Sequence, residues 1–274
     1  MKTIVISGGT DGIGAGLALA CLRRGDTVVI VGRDQAKGAA LVDAARKGGA
    51  VAEAMVVRAD LSLVSENERV VKEIKVRFPT VDALVLCARF FRSRHAVTAE
   101  GFEHNLALFY LSRFLLGHGL ADAMERAQQP VVVNVAGPGP NPTDIHWDDL
   151  GLARNYDGVT ALMQGGRLND LLGAAFPAVH PESRIRYVLV NPGSTATSFA
   201  GEYDPPTAAH IESMKRFGKP VEQSVAPILT LLDTPPDEPL SAFVEGRRIS
   251  VDGPAFDRDD ALRLHTLTEK MLSR

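Results

Sequence analysis

The sequence predicts a single doubly wound α/β domain spanning residues 1–274, with a parallel seven-stranded sheet and helices on both of its faces. Three observations carry this. Short runs rich in Val and Ile alternate with stretches of helical length along the chain. Those runs are continuously apolar rather than apolar on every second residue, the pattern of strands covered on both faces. No internal repeat, low-complexity segment or linker divides the chain, whose length is ordinary for one such domain.

The elements follow in order. Lys2 to Ser7 is a strand that Gly8 and Gly9 break, and a helix runs from Gly12 to Arg24. Thr27 to Val31 is the second strand and Ala36 to Lys47 the second helix. Val51 to Val57 reads as a third strand, after which Ser62 is expected to cap a helix reaching Arg77. Val81 to Cys87 is the fourth strand, Phe102 to Ala127 a long helix, and Pro130 to Val135 the fifth strand. A helix over about Thr160 to Ala178, a strand from Ile185 to Val190, a last strand near Arg247 to Val251 and a closing helix complete the pattern. Two stretches read as irregular, Gly137 to Tyr156 and Gly193 to Pro220. Both follow strand C-termini, where open α/β sheets bind ligands, and loops of that length are usually functional.

Composition narrows the partners. Thirty Lys and Arg stand against 33 Asp and Glu, a net charge of −3, and 45% of residues are hydrophobic. That balance gives no sign of nucleic acid or an anionic membrane as partner. Cys21 and Cys87 lie in apolar segments and read as reduced core residues. The histidines and the two cysteines have no metal-ligand spacing. No apolar run approaches the roughly 20 residues a membrane span needs, and Met1-Lys2-Thr3 runs into the first strand without room for a signal peptide. The expected location is cytoplasmic.

The most informative segment is Ser7-Gly8-Gly9-Thr10-Asp11-Gly12-Ile13-Gly14, between a strand and a helix. A pyrophosphate lying on backbone amides at a helix N-terminus requires side chains to be absent where it approaches. The spacing Gly8-x-x-x-Gly12-x-Gly14 resembles the short-chain dehydrogenase/reductase family, with Ser7 keeping the hydroxyl of the family's Thr. Other landmarks resemble the family in order: Asp60-Leu61 after the third strand, where an acid reads the adenine amine; Ala88 after the fourth; Asn105, like the mid-helix Asn; and Pro192-Gly193 with Thr197, like the nicotinamide contact. Trp147-Asp148-Asp149-Leu150 and Val251-Asp252-Gly253 look most like the retinol-dehydrogenase-like branch. The resemblance implies a Rossmann fold, a nicotinamide dinucleotide, a mobile substrate lid at 193–220 and assembly into a homodimer or homotetramer. Charge selects the dinucleotide. The second strand ends Val31-Gly32-Arg33, so glycine stands where an NAD enzyme has an acid, and Arg33 offers a fork for a 2′-phosphate. NADP(H) is the expected cofactor.

Departures begin where the family moves its proton. Arg167-Leu168-Asn169-Asp170 resembles the family's Lys-Leu-Ala-Asn run. Arg167 then holds the Lys position, Met163 the Tyr position four residues earlier, and Gly137 the Ser position after the fifth strand. Met has no titratable proton, and Arg167 can hold ribose but releases a proton poorly. His146 and Tyr156 are possible substitutes. Tyr156 lies eleven residues before Arg167, roughly 16 Å along a continuous helix. Arg89 replaces a family Gly and reads as a contact to cofactor phosphates, as a basic wall of the substrate pocket with Arg92, Arg94 and His95, or as a solvated loop residue. Three functions fit: NADP(H)-dependent oxidation or reduction of a small carbonyl or enone with a non-standard proton donor; a non-redox cyclase or isomerase on the same scaffold; and a non-catalytic NADP(H)-binding protein.

Overall fold

β-Branched side chains restrict χ1 and suit extended backbone, and the first such run forms β1 (Thr3–Ser7) in the computed structural model, which describes residues 1–139 and 143–273. Asp11 ends the turn that follows. Its carboxylate accepts from the Gly12 amide, and α1 (Gly12–Arg23) starts there. β2 (Thr27–Gly32), α2 (Gln35–Lys47) and β3 (Ala54–Arg58) come next, with Asp34 capping α2 through the Lys37 amide. Then follow α3 (Val64–Arg77), β4 (Ala83–Leu86), a two-residue β5 (Phe91–Arg92), a short α4 (His104–Leu106), a π-turn at Ala107–Leu111, α5 (Ser112–Gly119) and α6 (Ala121–Met124). β6 (Val131–Val135), α7 (Gly158–Val179), β7 (Arg186–Asn191), β8 (Gly201–Glu202), α8 (Pro205–Phe217) and α9 (Val221–Asp233) lead to β9 (Leu240–Val244), β10 (Arg247–Ile249) and α10 (Arg258–Leu272).

The main sheet has the order β10-β9-β7-β6-β4-β1-β2-β3 and is parallel except at the β9–β10 edge. The chain winds from β1 toward β3, then reverses and winds from β4 toward β9. The reversal lies between β1 and β4, whose C-terminal ends therefore frame the ligand crevice. Period-2 alternation divides the core between the two faces: Ile4, Ile6, Val28 and Ile30 pack with α1 and α9 residues, and Val5, Val29, Val31 and Leu84 with α3, α5 and α7 residues.

Several sequence expectations need correction. The main sheet has eight strands, because β9 and antiparallel β10 stand where one last strand was expected. Their hairpin turn, Glu245-Gly246, has positive φ at both residues, which suits two-residue hairpins. The helix expected over Phe102 to Ala127 starts at His104, passes through the π-turn and breaks after Gly119. Ser62 does not cap α3: Leu63 is the cap residue, and Ser62 donates instead to Asp60. The stretch Gly193 to Pro220 holds β8 and α8, and the Pro205-Pro206 pair at the first turn of α8 is a start signal. Residues 140–142 of the loop expected from Gly137 to Tyr156 lie outside the described residues.

β5 and β8 form a separate two-stranded parallel ladder that ties the 193–220 stretch to the segment after β4. Arg92 and Glu202 pair across it, and the Asp204 amide donates to Ser93 Oγ at 2.6 Å. On another part of the surface, His118 of α5, His180 after α7 and His265 of α10 meet. His118 Nδ1 is 2.9 Å from His180 Nε2, and burial pushes His118 down to about 3.

Candidate active site

The site is built at the reversal point. Gly8 has φ +70°, and a Cβ there would meet the Ala88 backbone at 2.6 Å, so the ends of β1 and of β4 touch through a missing side chain. A Cβ on Gly14 would strike the Gly8 carbonyl. These two glycines are required by close backbone approach, whatever lies in the crevice. Ser7 is buried at the end of β1, where its Oγ accepts from the Ala88 amide at 3.4 Å. Gly12 has φ +52°, and a Cβ there would lie 3.0 Å from the Thr197 methyl group. Thr197, which follows β7, therefore packs close against the turn. Asp11 Oδ2 accepts from Ser198 Oγ at 2.8 Å and lies 3.5 Å from Lys37 Nζ, so its charge is met on two sides. Ile13 lies in the first turn of α1, partly buried against the core.

Around this turn, Arg33 is exposed just beyond β2 with its guanidinium 4.4 Å from the centre of the Phe90 ring. The absent acid at Gly32 has a steric counterpart: a Cβ there would come within 2.6 Å of Thr10 Oγ1. Asp60 beyond β3 is fixed by Ser62, which donates from its amide and hydroxyl, while Leu61 is buried in the core. Pro192 and Gly193 follow β7, and Gly193, at φ +79°, leaves space that Glu245 fills. The amides of a capped helix N-terminus, a cation beyond β2 and a carboxylate beyond β3 together suit a dinucleotide with a charged ribose.

The face of α7 is different. Met163, Arg167 and Asp170 fall on one side of the helix by spacing. Arg167 is 11% exposed at its side chain. Nη2 donates to the Pro254 carbonyl at 3.3 Å, and Nη1 lies 3.8 Å from Asp170 Oδ2. Asp170 Oδ2 accepts from the Gly139 amide at 3.3 Å, while Asp170 Oδ1 and Arg167 Nη1 are buried without hydrogen-bond partners. Burial pushes the Asp170 carboxyl up to about 8, against the pull of Gly139 and Arg167. Gly137 is exposed and a Cβ there would meet nothing within 4 Å, so the loop after β6 has room for a side chain that the sequence omits.

The remaining expected residues separate from this face. Asn105 is buried on α4. It accepts from the Arg92 amide at 2.9 Å, donates to the Arg92 carbonyl at 2.8 Å and donates to the Tyr156 hydroxyl at 2.6 Å. Tyr156 precedes α7. Its hydroxyl donates to the Arg92 carbonyl at 3.0 Å with Glu103 Oε1 3.2 Å away, and burial with the Glu103 charge raises its phenol above the ordinary range. Asn105 and Tyr156 thus serve one network that fixes the β5 segment. His146 is exposed, and its amide donates to Gln164 Oε1 at 2.8 Å. Burial pushes the Cys87 thiol up to about 12, which removes it as a nucleophile.

Sequence reasoning gave Asp170 no role, although its spacing of seven from Met163 places it on the same side of α7 as Met163 and Arg167. It also missed Phe109 and Arg113, which lie within and just after the π-turn. Arg113 is 1% exposed and donates to Asn134 Oδ1, to the Val135 carbonyl at 2.9 Å and to the Ala88 carbonyl at 3.3 Å. No periodicity signals a buried arginine. Among the described residues no cluster of His, Cys, Asp or Glu is arranged to hold a metal ion, and no helix is long and apolar enough to cross a membrane.

The chain belongs to the short-chain dehydrogenase family, whose model matches residues 2–140. It is 31% identical over 201 residues to the oxidoreductase calI of Penicillium decumbens, covering 70% of this chain and 58% of that protein. To retinol dehydrogenase 13 of Mus musculus it is 27% identical over 164 residues, covering 60% of this chain and 49% of that protein. The aligned parts thus span about half the length of these relatives. Among solved structures, a short-chain dehydrogenase from Sphingobium yanoikuyae in complex with NADPH superimposes with a TM-score of 0.65 at 20% identity, covering 100% of this chain and 96% of that one.

Proposed function

We propose that the chain is an NADP(H)-dependent oxidoreductase acting on a small carbonyl or enone substrate, with a proton source other than the family's tyrosine. The observation that carries the reading is the Arg33 guanidinium beyond β2, with glycine at position 32 in place of an acid, beside the helix N-terminus that follows β1 at the sheet's reversal point. Residues Ser7, Gly8, Thr10, Asp11, Gly12, Ile13 and Gly14 would line the pyrophosphate, Arg33 the 2′-phosphate, Asp60 and Leu61 the adenine, and Ala88, Pro192, Gly193 and Thr197 the nicotinamide half. When bound, the cofactor supplies hydride transfer. This chain's residues bind and orient. Arg167 would hold ribose oxygen through its fixed fork of donors, and the 193–220 stretch would cover the substrate and exclude water.

A second reading rests on Met163 and Gly137. General acid–base help is typically worth about 10²–10⁴-fold, and neither residue provides it. A non-catalytic NADP(H)-binding protein would need no such group, and a non-redox cyclase or isomerase would draw any proton transfer from other residues of the crevice. Titration of the purified protein with NADPH, followed by NADPH absorbance over a panel of carbonyls and enones, separates the readings. Tight binding with oxidation of NADPH is the expected result. Tight binding with no oxidation across the panel would leave the second reading, and no binding would remove the oxidoreductase and the non-catalytic NADP(H)-binding protein while leaving a cyclase or isomerase that uses the pocket without cofactor. The proposal includes one domain, a cytoplasmic location and a homodimer or homotetramer, the last to be measured by sedimentation.

A further inference from the structure

We infer that Arg113 sets the site's preference for the reduced dinucleotide. Its buried, uncompensated charge lies at the strand ends where the nicotinamide ring would rest, and it disfavours the cationic oxidised ring relative to the neutral reduced one. The inference rests on the proposed redox reading for its cofactor and deepens it by naming the residue that discriminates NADPH from NADP⁺.

Arg113 stands in the first turn of α5, just after the π-turn, a feature common at functional sites. Its guanidinium reaches the C-terminal ends of two central strands. It donates to Asn134 Oδ1 and to the Val135 carbonyl at 2.9 Å, at the end of β6, and to the Ala88 carbonyl at 3.3 Å, just beyond β4. Ala88 is the residue whose backbone closes on Gly8 and which would line the nicotinamide half. Only 1% of Arg113 is exposed, and its Nε has no hydrogen-bond partner. The groups whose charges bear on it are Tyr187, Cys87 and Arg89. Burial raises Tyr187 above the ordinary phenol range and pushes Cys87 up to about 12, so both are neutral at pH 7. Arg113, lowered by burial to about 10, keeps its charge there. Among the described residues no carboxylate pairs with it. Its oxygen partners and the Phe109 ring, whose centre is 4.4 Å from the guanidinium, ease the charge but carry no net charge to cancel it.

A charge this deeply buried is poorly screened and acts over several ångströms without contact. NADPH and NADP⁺ carry the same phosphates and differ by one positive charge on the nicotinamide ring. Arg113 therefore attracts the phosphates of both alike and repels only the oxidised ring. Two unit charges about 10 Å apart, at an effective dielectric constant of about 20, shift the ratio of the two affinities by roughly 10-fold. The other cations near the mouth bear less on that ratio. Arg89, beyond β4, lies over the same Phe109 ring at 5.0 Å but is exposed, so water and salt screen it. Arg92 pairs with Glu202, Arg33 lies beyond β2 on Phe90, and Arg167 turns to Pro254 and Asp170. Such a site takes up the reduced dinucleotide and lets the oxidised one go, the order of binding that suits reduction of a carbonyl or enone.

The test measures, by calorimetry on the full chain, the dissociation constants of NADPH and of NADP⁺. The wild-type chain is expected to bind NADPH roughly 10-fold or more tightly than NADP⁺. Arg113→Gln loses the charge but still donates to the strand-end carbonyls, and it should bring the two affinities to within about 2-fold of each other. Arg113→Met, apolar and of similar length, gives the same reading where the glutamine variant fails to fold. Arg113→Lys keeps the charge and should keep most of the preference, and Arg89→Gln should leave the ratio within about 2-fold of wild type. A merely structural arginine would weaken both dinucleotides equally and leave their ratio unmoved, which overturns the inference. A wild-type chain without the preference, or one that loses it through Arg89→Gln and keeps it through Arg113→Gln, overturns it equally. Failure of the wild-type chain to bind either dinucleotide is a distinct outcome and strikes the redox reading itself.

Discussion

The glycine turn and the face of α7 sit on the same crevice, yet they tolerate change very differently. At the turn, Gly8 and Gly14 are fixed by backbone atoms that leave no space for a Cβ. Beyond β6, Gly137 faces open space, and α7 carries Met163, Arg167 and a buried Asp170 along one side. The first region is dictated by close packing, so its sequence is legible anywhere the fold occurs. The second depends on which chemistry the protein performs, and its residues are free to differ.

The largest effect should come from restoring the family's residues on the permissive side. Met163→Tyr with Gly137→Ser is expected to raise NADPH oxidation of simple carbonyls by about 10²–10⁴-fold, read from initial rates. No gain would mean that the positions are misassigned or that Arg167 cannot substitute for lysine. On the restrictive side, Gly8→Ala should cost roughly 1–3 kcal/mol of stability, from overpacking against Ala88 and a positive φ, together with NADPH affinity. Denaturant titration checks this, and an unchanged midpoint would refute the close-approach argument. Arg33→Gln should weaken NADPH by roughly 10- to 100-fold while affecting NADH little, as loss of a charge-assisted contact predicts.

Two further effects concern pH, and they run in opposite directions. Asp170 has a raised carboxyl, so the folded chain binds more protons than the unfolded chain between the ordinary carboxylate range and about 8. Stability should therefore fall as pH rises through that window, by up to about 1.4 kcal/mol per unit, and Asp170→Asn should flatten the alkaline limb. His118 is pushed down to about 3, so the unfolded chain binds more protons below the ordinary imidazole value. Here stability should fall as pH drops from about 6.5 toward 3, and His118→Gln should soften the acid limb. Melting temperatures across pH, wild type beside both variants, would show whether the two limbs move separately.

The succession of strands and helices, the turn and the cation beyond β2 were readable because period, glycine spacing and charge are local properties. The strand missed was β9, which lies between β7 and β10 and whose apolar run Ser241 interrupts. The role expected of Asn105 rested on its place in Phe102-Glu103-His104-Asn105. The structure commits its side chain to Arg92 and Tyr156, a long-range pairing that no local pattern encodes. Arg113 was hidden for the same reason: its burial follows from three oxygens contributed by β6 and the end of β4, brought together by folding.

The β5–β8 ladder bears on access to the crevice. It joins two residues to two, with the Arg92–Glu202 pair beside it, and α8 contributes no buried side chain. Detaching this flap exposes little apolar surface and disturbs neither face of the main sheet. Under the lid reading, its opening would be a local fluctuation on the microsecond-to-millisecond scale rather than a partial unfolding. Turnover would then be paced by how often the flap lifts, and a disulfide pinning it shut would silence the crevice while leaving the melting curve almost unmoved.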